Sequence, residues 1–185
     1  AAAILATQAV KDHPIATLVC SNPYLEFAKA LELFYQPPRL AAGIHPLASI
    51  APSAVIGEGA SVAPFAVVGE NVTIGRNAVL RAHVVIYEGA RIGDDFYAHS
   101  HAVVRENCRI GDRVILQQGV VIGGDGFGFA RKGDGAHYKI VQSGITVIED
   151  DVEIQTLTSV DRATVGDLTY ELDASRCIFC GFCEE

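Results

Sequence analysis

The sequence predicts an all-β solenoid, a parallel β-helix of hexapeptide repeats, preceded by a small partial α/β N-terminal domain. Three observations carry that prediction. Every sixth residue from Ile44 to Ile122 is Ile, Val or Leu, with one lapse at Ala98. Four residues after each aliphatic runs a second series, mostly small or β-branched, which includes Ala48, Ala54, Ala60, Ala66 and Val72. Glycine follows the aliphatic at Gly57, Gly69, Gly75, Gly93, Gly111 and Gly123.

The spacing has a geometric meaning. A small residue and the next aliphatic are two positions apart, so both project from the same face of a strand, here inward. Three short strands and three corners then close a triangular coil, and successive coils stack at the inter-strand spacing of about 4.8 Å. The glycines fall where the chain turns, and they are expected to supply positive φ there. The register breaks over 123–146, a stretch rich in Gly and charge, and resumes at Ile148, Ile154 and Val160 with Val152, Thr158 and Thr164 as inward partners. An excursion that leaves the repeat intact reads as a surface loop, the usual carrier of function on a rigid scaffold. Past Gly166 the pattern stops.

Upstream, Ala1 to Val19 shows no clear period. Asn22-Pro23 followed by Leu25, Phe27, Ala28, Leu31 and Phe34 reads as a capped helix with Pro in its first turn, ended by Pro37-Pro38. The organisation expected is therefore 1–43 as a partial α/β domain covering the first coil edge, 44–167 as the β-helix with its excursion at 123–146, and 168–185 as a tail that is not an independent domain.

Composition narrows the function. The 185 residues carry 14 Lys and Arg against 22 Asp and Glu, a net charge of −8, so no basic face for nucleic acid is expected. No apolar run approaches the length of a transmembrane segment. Ala1 to Val10 lacks a basic lead-in and makes a poor signal peptide. Five Cys suit a reducing compartment better than a disulfide framework, and a cytoplasmic location is expected. Met is absent even at position 1, so a fragment or processed product is expected. Cys108, in an inward slot, and Cys20, after an apolar run, read as packing residues.

Several segments together resemble the UDP-3-O-acylglucosamine N-acyltransferase family of lipid A biosynthesis. They are Asn22-Pro23-Tyr24 with Phe27-Ala28, Gly43-Ile44-His45-Pro46, the run from Gly123 through Asp125, Gly126, Phe127, Gly128 and Phe129 to Ala130, and Val160-Asp161-Arg162. The resemblance covers roughly Ala1 to Asp167. It implies a left-handed coil, a homotrimer, and transfer of a 3-hydroxyacyl chain from acyl carrier protein to the 2-amine of UDP-3-O-acylglucosamine, with no cofactor required. It also implies that Asn22 and Tyr24 help hold the uracil ring. Read from the residues themselves, Gly126, Phe127, Gly128 and Phe129 place aromatic surface suited to an acyl chain, and Arg131, Lys132, His137 and Lys139 form a basic cluster in an acidic chain, suited to the acidic carrier protein or to phosphates; Asp125 in the same loop is expected to bind substrate. The family's catalytic His lies in a coil downstream of the Val-Asp-Arg motif, and the sequence departs from the family before it. No catalytic residue is carried over, and this chain by itself is expected to be inactive. Gln155-Thr156-Leu157 also departs from the Gly-containing corner usual in the family.

Two other classes of function follow from other residues. His83 and His101 are eighteen apart and share a corner, with His99 nearby, a pattern that could hold zinc between subunits as in trimeric hexapeptide carbonic anhydrases. A trimeric solenoid that binds without turnover is the non-enzymatic alternative. The tail from Tyr170 onward resembles the iron–sulfur subunit of respiratory complex I through Cys177-x-x-Cys180-x-x-Cys183. Three Cys leave a four-Cys site incomplete, so no iron–sulfur cluster is expected.

Overall fold

The computed structural model describes residues 3–9, 14–35, 38 and 40–170. The chain divides between Arg39 and Leu40 into two compact units. In the first, two parallel strands, β1 (Ala3–Ala6) and β2 (Ala16–Val19), pair in register from Ala3 with Ala16 to Ala6 with Val19. These strands lie in the segment whose sequence shows no period, because four-residue strands are too short to display an alternation. The helix α1 runs Pro23–Phe34, with Pro in its first turn. Asn22 Oδ1 accepts the Leu25 N–H at 3.1 Å and so satisfies one of the orphan donors of the first turn.

The second unit is the β-helix. Three six-stranded parallel sheets form its sides, and in each sheet a strand pairs with the one a full coil later. Val67–Val68 pairs with Val85–Ile86, and that pair with Val103–Val104, eighteen residues on at each step. Gly43–Ile44 already pairs with Ser61–Val62, so the ladder includes Gly43. At its other end Asp167–Tyr170 pairs with Ile145–Ile148. The sheet thus runs past Gly166, where the hexad is lost, because backbone pairing needs no particular side chain.

The two periodic series fill the axis. Val68, Leu80, Ile86, Leu116 and Ile122 are buried, and so are Ala66, Val84, Ala102 and Val120. Ala98, the lapse in the aliphatic series, is explained by Phe96, the one oversize residue in the small series. Both are fully buried in the same coil, so a large and a small residue have exchanged places at constant volume, the kind of swap that close packing tolerates. The core ends where the stack ends. Ile44 is half exposed, and Thr158 and Thr164, expected to point inward, are exposed on the last coil.

The corner glycines serve a different purpose from the expected one. Gly57, Gly69, Gly75, Gly93 and Gly111 do not have positive φ; of that series only Gly123 does, at 81°. Left-handed backbone falls two residues later, at Gly59, Asn71, Asn77, Asp95 and Arg113, and at the matching place of corners without that glycine, at Phe65, His83 and His101. What excludes a side chain at Gly75 is the next coil: a Cβ there would lie 2.5 Å from the Gly93 carbonyl carbon. The close approach lets a carboxylate fold back over Gly75, Gly93 and Gly111. Asp94 Oδ1 accepts the Arg76 N–H at 2.7 Å, Asp112 Oδ1 that of Asp94 at 2.7 Å, and Asp150 Oδ1 that of Asp112 at 2.9 Å.

Candidate functional site

The excursion leaves the coil at a bulge. Val121 and Ile122 pair with Ser159 and Val160, then Gly124 and Asp125 pair with Asp161 and Arg162, which leaves Gly123 as the extra residue. A Cβ at Gly123 would come within 2.5 Å of Cys108 Sγ, so both its φ and its surroundings require glycine. The ladder is regained further on. Arg109 pairs with Val147, an offset of 38 where earlier pairs are offset by 18, so the detour inserts twenty residues without disturbing the register. The expected excursion of 123–146 is therefore narrower in the structure, since Asp125 and Ile145 both belong to strands.

Within the detour Phe129–Arg131 and His137–Lys139 form an antiparallel hairpin, with Phe129 opposite Lys139 and Arg131 opposite His137. The turn between them is closed by the Lys132 N–H donating to Ala136 O at 2.8 Å, and Asp134 Oδ1 accepts the Ala136 N–H. Phe127 is 97% exposed. Its ring lies 5.0 Å from that of Phe129, and Phe129 meets the His137 ring edge-on at 6.3 Å. Phe127, Phe129, Arg131 and His137 line one open groove. Lys132 lies over the Tyr138 ring at 5.4 Å, and Lys139 Nζ donates to Asp125 Oδ2 at 2.8 Å. That hydrogen bond holds the Asp125 carboxyl below its ordinary range.

Beneath the hairpin lies a network the sequence did not announce. Arg162 is 9% exposed. Its Nε donates to Gly123 O at 2.8 Å and lies 3.8 Å from Asp125 Oδ1, while Nη1 contacts Glu106 Oε1 at 2.9 Å. Glu106 is gripped a second time by Arg105, through Nε at 2.7 Å and Nη2 at 2.9 Å. Partial burial alone would raise the Glu106 carboxyl, but the hydrogen bonds from Arg105 and Arg162 prevail and push it down to about 2. One signal was available: Arg162 stands two positions after the inward Val160, so a strand continued by two residues turns a charged side chain into the core.

Of the residues singled out from sequence, Asp125, Phe127, Phe129, His137 and Lys139 are brought together. Asn22 and Tyr24 lie in the other unit, where Asn22 spends its side-chain oxygen on the helix cap and Tyr24 is 85% exposed. Cys177, Cys180 and Cys183 lie outside the described residues. His83 and His101 stack face to face, 4.9 Å apart and 1° from parallel, with Phe65 below at 5.2 Å. Nitrogen lone pairs lie in the ring plane, so parallel stacked rings do not converge on one ion within a chain. His99 instead meets the Gln118 amide at 3.2 Å, and burial lowers its pKa. Among the described residues no three His, Cys, Asp or Glu side chains gather as metal ligands, and no helix is long and apolar enough to cross a membrane.

Comparison with known proteins agrees with this architecture. The chain is 66% identical over 153 residues to UDP-3-O-acylglucosamine N-acyltransferase 1 of Koribacter versatilis, covering 83% of the chain and 45% of that protein. It is 60% identical over 166 residues to the UDP-3-O-acylglucosamine N-acyltransferase of Syntrophobacter fumaroxidans, covering 90% of the chain and 47% of that protein. The chain thus spans about half the length of these relatives, and their names do not bear out the expected likeness of the tail to an iron–sulfur subunit. The crystal structure of an Arabidopsis UDP-N-acetylglucosamine acyltransferase superimposes with a TM-score of 0.55 at 24% identity, covering 68% of the chain and 45% of that structure, which shows the shared fold. A family model described as the GMPPB C-terminal domain matches residues 44–171, more than half of the chain, and the chain belongs to that family.

Proposed function

We propose that this chain is part of an N-acyltransferase that moves a 3-hydroxyacyl group from acyl carrier protein to the 2-amine of UDP-3-O-acylglucosamine in lipid A biosynthesis. The observation that carries this reading is the 66% identity to a protein of that name over most of the chain. The amine attacks the thioester carbonyl, the C–N bond forms as the C–S bond breaks, and the carrier thiol leaves with the proton. Such a transfer calls for no cofactor, and no iron–sulfur cluster enters the proposal.

The groove fits the apolar part of that substrate. Phe127 and Phe129 offer aromatic surface to the acyl chain, with the Gly126 and Gly128 backbone alongside. Arg131, Lys132 and Lys139 place cations beside His137 at the rim of a chain whose net charge is −8, which favours approach of an acidic carrier protein or of phosphates. Asn22 and Tyr24 are assigned to the uracil ring, through the amide edge and the phenol face. A homotrimer with a left-handed coil completes the reading. An apolar stripe of outward Val67, Val85, Val103 and Val121 on one side of the coil supports the association of subunits, and the hand is carried by the resemblance alone.

The test is acyl transfer from a 3-hydroxyacyl carrier protein to UDP-3-O-acylglucosamine, measured on the chain and on a form extended to the length of its relatives. Amide product from the extended form is expected, and a raised KM for the acyl donor on Phe127→Ala with Phe129→Ala would tie the groove to the acyl chain. Binding without product by both forms would instead favour a non-catalytic solenoid.

A further inference from the structure

The hairpin that bears Phe127 and Phe129 is held at both of its stems by one short segment, Asp161 to Thr164. On the outgoing stem Arg162 grips Gly123 O and faces Asp125. On the returning stem Thr164 O accepts the Ser143 N–H at 3.1 Å and the Ser143 hydroxyl at 2.9 Å, and Ala163 O accepts the Gly144 N–H at 3.1 Å. Thr164 Oγ1 donates to Gln142 Oε1 at 3.1 Å. The buried Gln142 amide in turn supports the lip: a Cβ on Gly126 or Gly128 would lie 3.2 or 3.1 Å from its oxygen or nitrogen.

Arg162 is a costly choice for the coil. Among the described residues its buried Nη2 has no hydrogen-bond partner, and a buried guanidinium left partly unsatisfied is less favourable than an apolar side chain of similar size. A residue serving the core alone would be apolar there, as Val160 is two positions earlier. The contacts Arg162 does make lead to the loop base and, through Glu106, to Arg105.

We propose that Arg162 is a positioning residue, which fixes the outgoing stem of the hairpin so that Phe127 and Phe129 stand as a rigid aromatic lip. The positioning itself is independent of what the lip binds. Its consequence for acyl transfer rests on the function proposed above.

The test is limited trypsin digestion of the full chain, reading cleavage after Arg131 and Lys132 by mass spectrometry, alongside thermal unfolding of the coil by circular dichroism. Arg162→Met is expected to speed hairpin cleavage roughly tenfold, as loss of a charge-assisted contact does for a local opening, while the coil still unfolds cooperatively. Arg162→Lys is expected to recover only part of the protection, since a point charge cannot reach Gly123 O and Glu106 together. Full recovery by Lys, or unchanged cleavage in Arg162→Met, overturns the proposal. If Arg162→Met fails to fold, Glu106→Gln decides, because it withdraws the carboxylate that holds Arg162 Nη1 and leaves the Lys139–Asp125 bond in place: faster hairpin cleavage supports the latch and unchanged cleavage rejects it. In a transfer assay Arg162→Met should raise KM for the acyl donor, and the rise should vanish in a Phe127→Ala, Phe129→Ala background. Absence of transfer in the extended protein, with the hairpin still released by Arg162→Met, would reject the enzymatic reading and leave the positioning role standing.

Discussion

The coils and the hairpin solve opposite problems with the same chain. From Ala60 to Ile122 every sixth side chain is buried against its counterparts above and below, so each coil is stable only through its neighbours. The hairpin from Gly126 to Gly144 adds little to that core and holds a phenylalanine almost wholly in water. A side chain so exposed gains nothing in folding energy from its aromatic ring. The contrast teaches where selection for stability ends: the coil is filled to the atom, while the hairpin is anchored only at its base.

The comparison can be broken most severely in the core. Phe96→Ala should cost about 3–5 kcal/mol by opening a cavity on the axis, read by chemical denaturation. Adding Ala98→Leu should return part of that loss, because the two positions share one volume. An equal or larger loss in the double variant would show that the exchange of sizes is not what keeps this coil filled.

Acid should loosen the base of the hairpin before it reaches the aliphatic axis. The Glu106 carboxyl is lowered from 4.5 to about 2 in the folded chain. A depressed acid stabilises fully above its unfolded value, so this contribution is present above pH 4.5 and is lost as pH falls toward 2. At most about 3 kcal/mol is at stake. Glu106→Gln should flatten the difference in stability between neutral and acidic solution, and an unchanged acid profile would remove Glu106 from the account.

Gly93→Ala should cost about 1–3 kcal/mol by forcing apart two stacked corners, whereas Gly133→Ala in the hairpin turn, where a Cβ would meet nothing within 4 Å, should be near neutral. Thermal unfolding of the two variants side by side checks this. The smallest effect on folding is expected at the lip itself. Phe127→Ala should change stability by less than about 0.5 kcal/mol while weakening transfer or donor binding, and a large loss of stability would mean that the ring is packed rather than displayed.

The coil was legible because six-residue spacing is a direct image of three-sided winding, and residues such as Ile74, Ile92 and Ile110 could only point inward. The corner glycines were found but given the wrong reason, since steric contact between Gly75 and Gly93 joins residues eighteen apart and leaves no local signature. The aromatic and basic members of the candidate site were visible as a break in the pattern. Arg162 was visible only as part of a motif. Its burial depends on a bulge at Gly123 and on two extra ladder pairs, both products of pairing between distant strands. An α/β unit was expected upstream, but the bounds of β1 and β2 were not legible, because short strands in a mixed segment carry no period.

The way the ladder resumes after its twenty-residue detour has a consequence for diversification. Since Arg109 finds Val147 as readily as earlier strands find partners one turn on, the hairpin behaves as an interchangeable cassette seated on a fixed spool. Its composition can be rewritten, and with it the molecules it recognises, while the winding beneath keeps the same pitch.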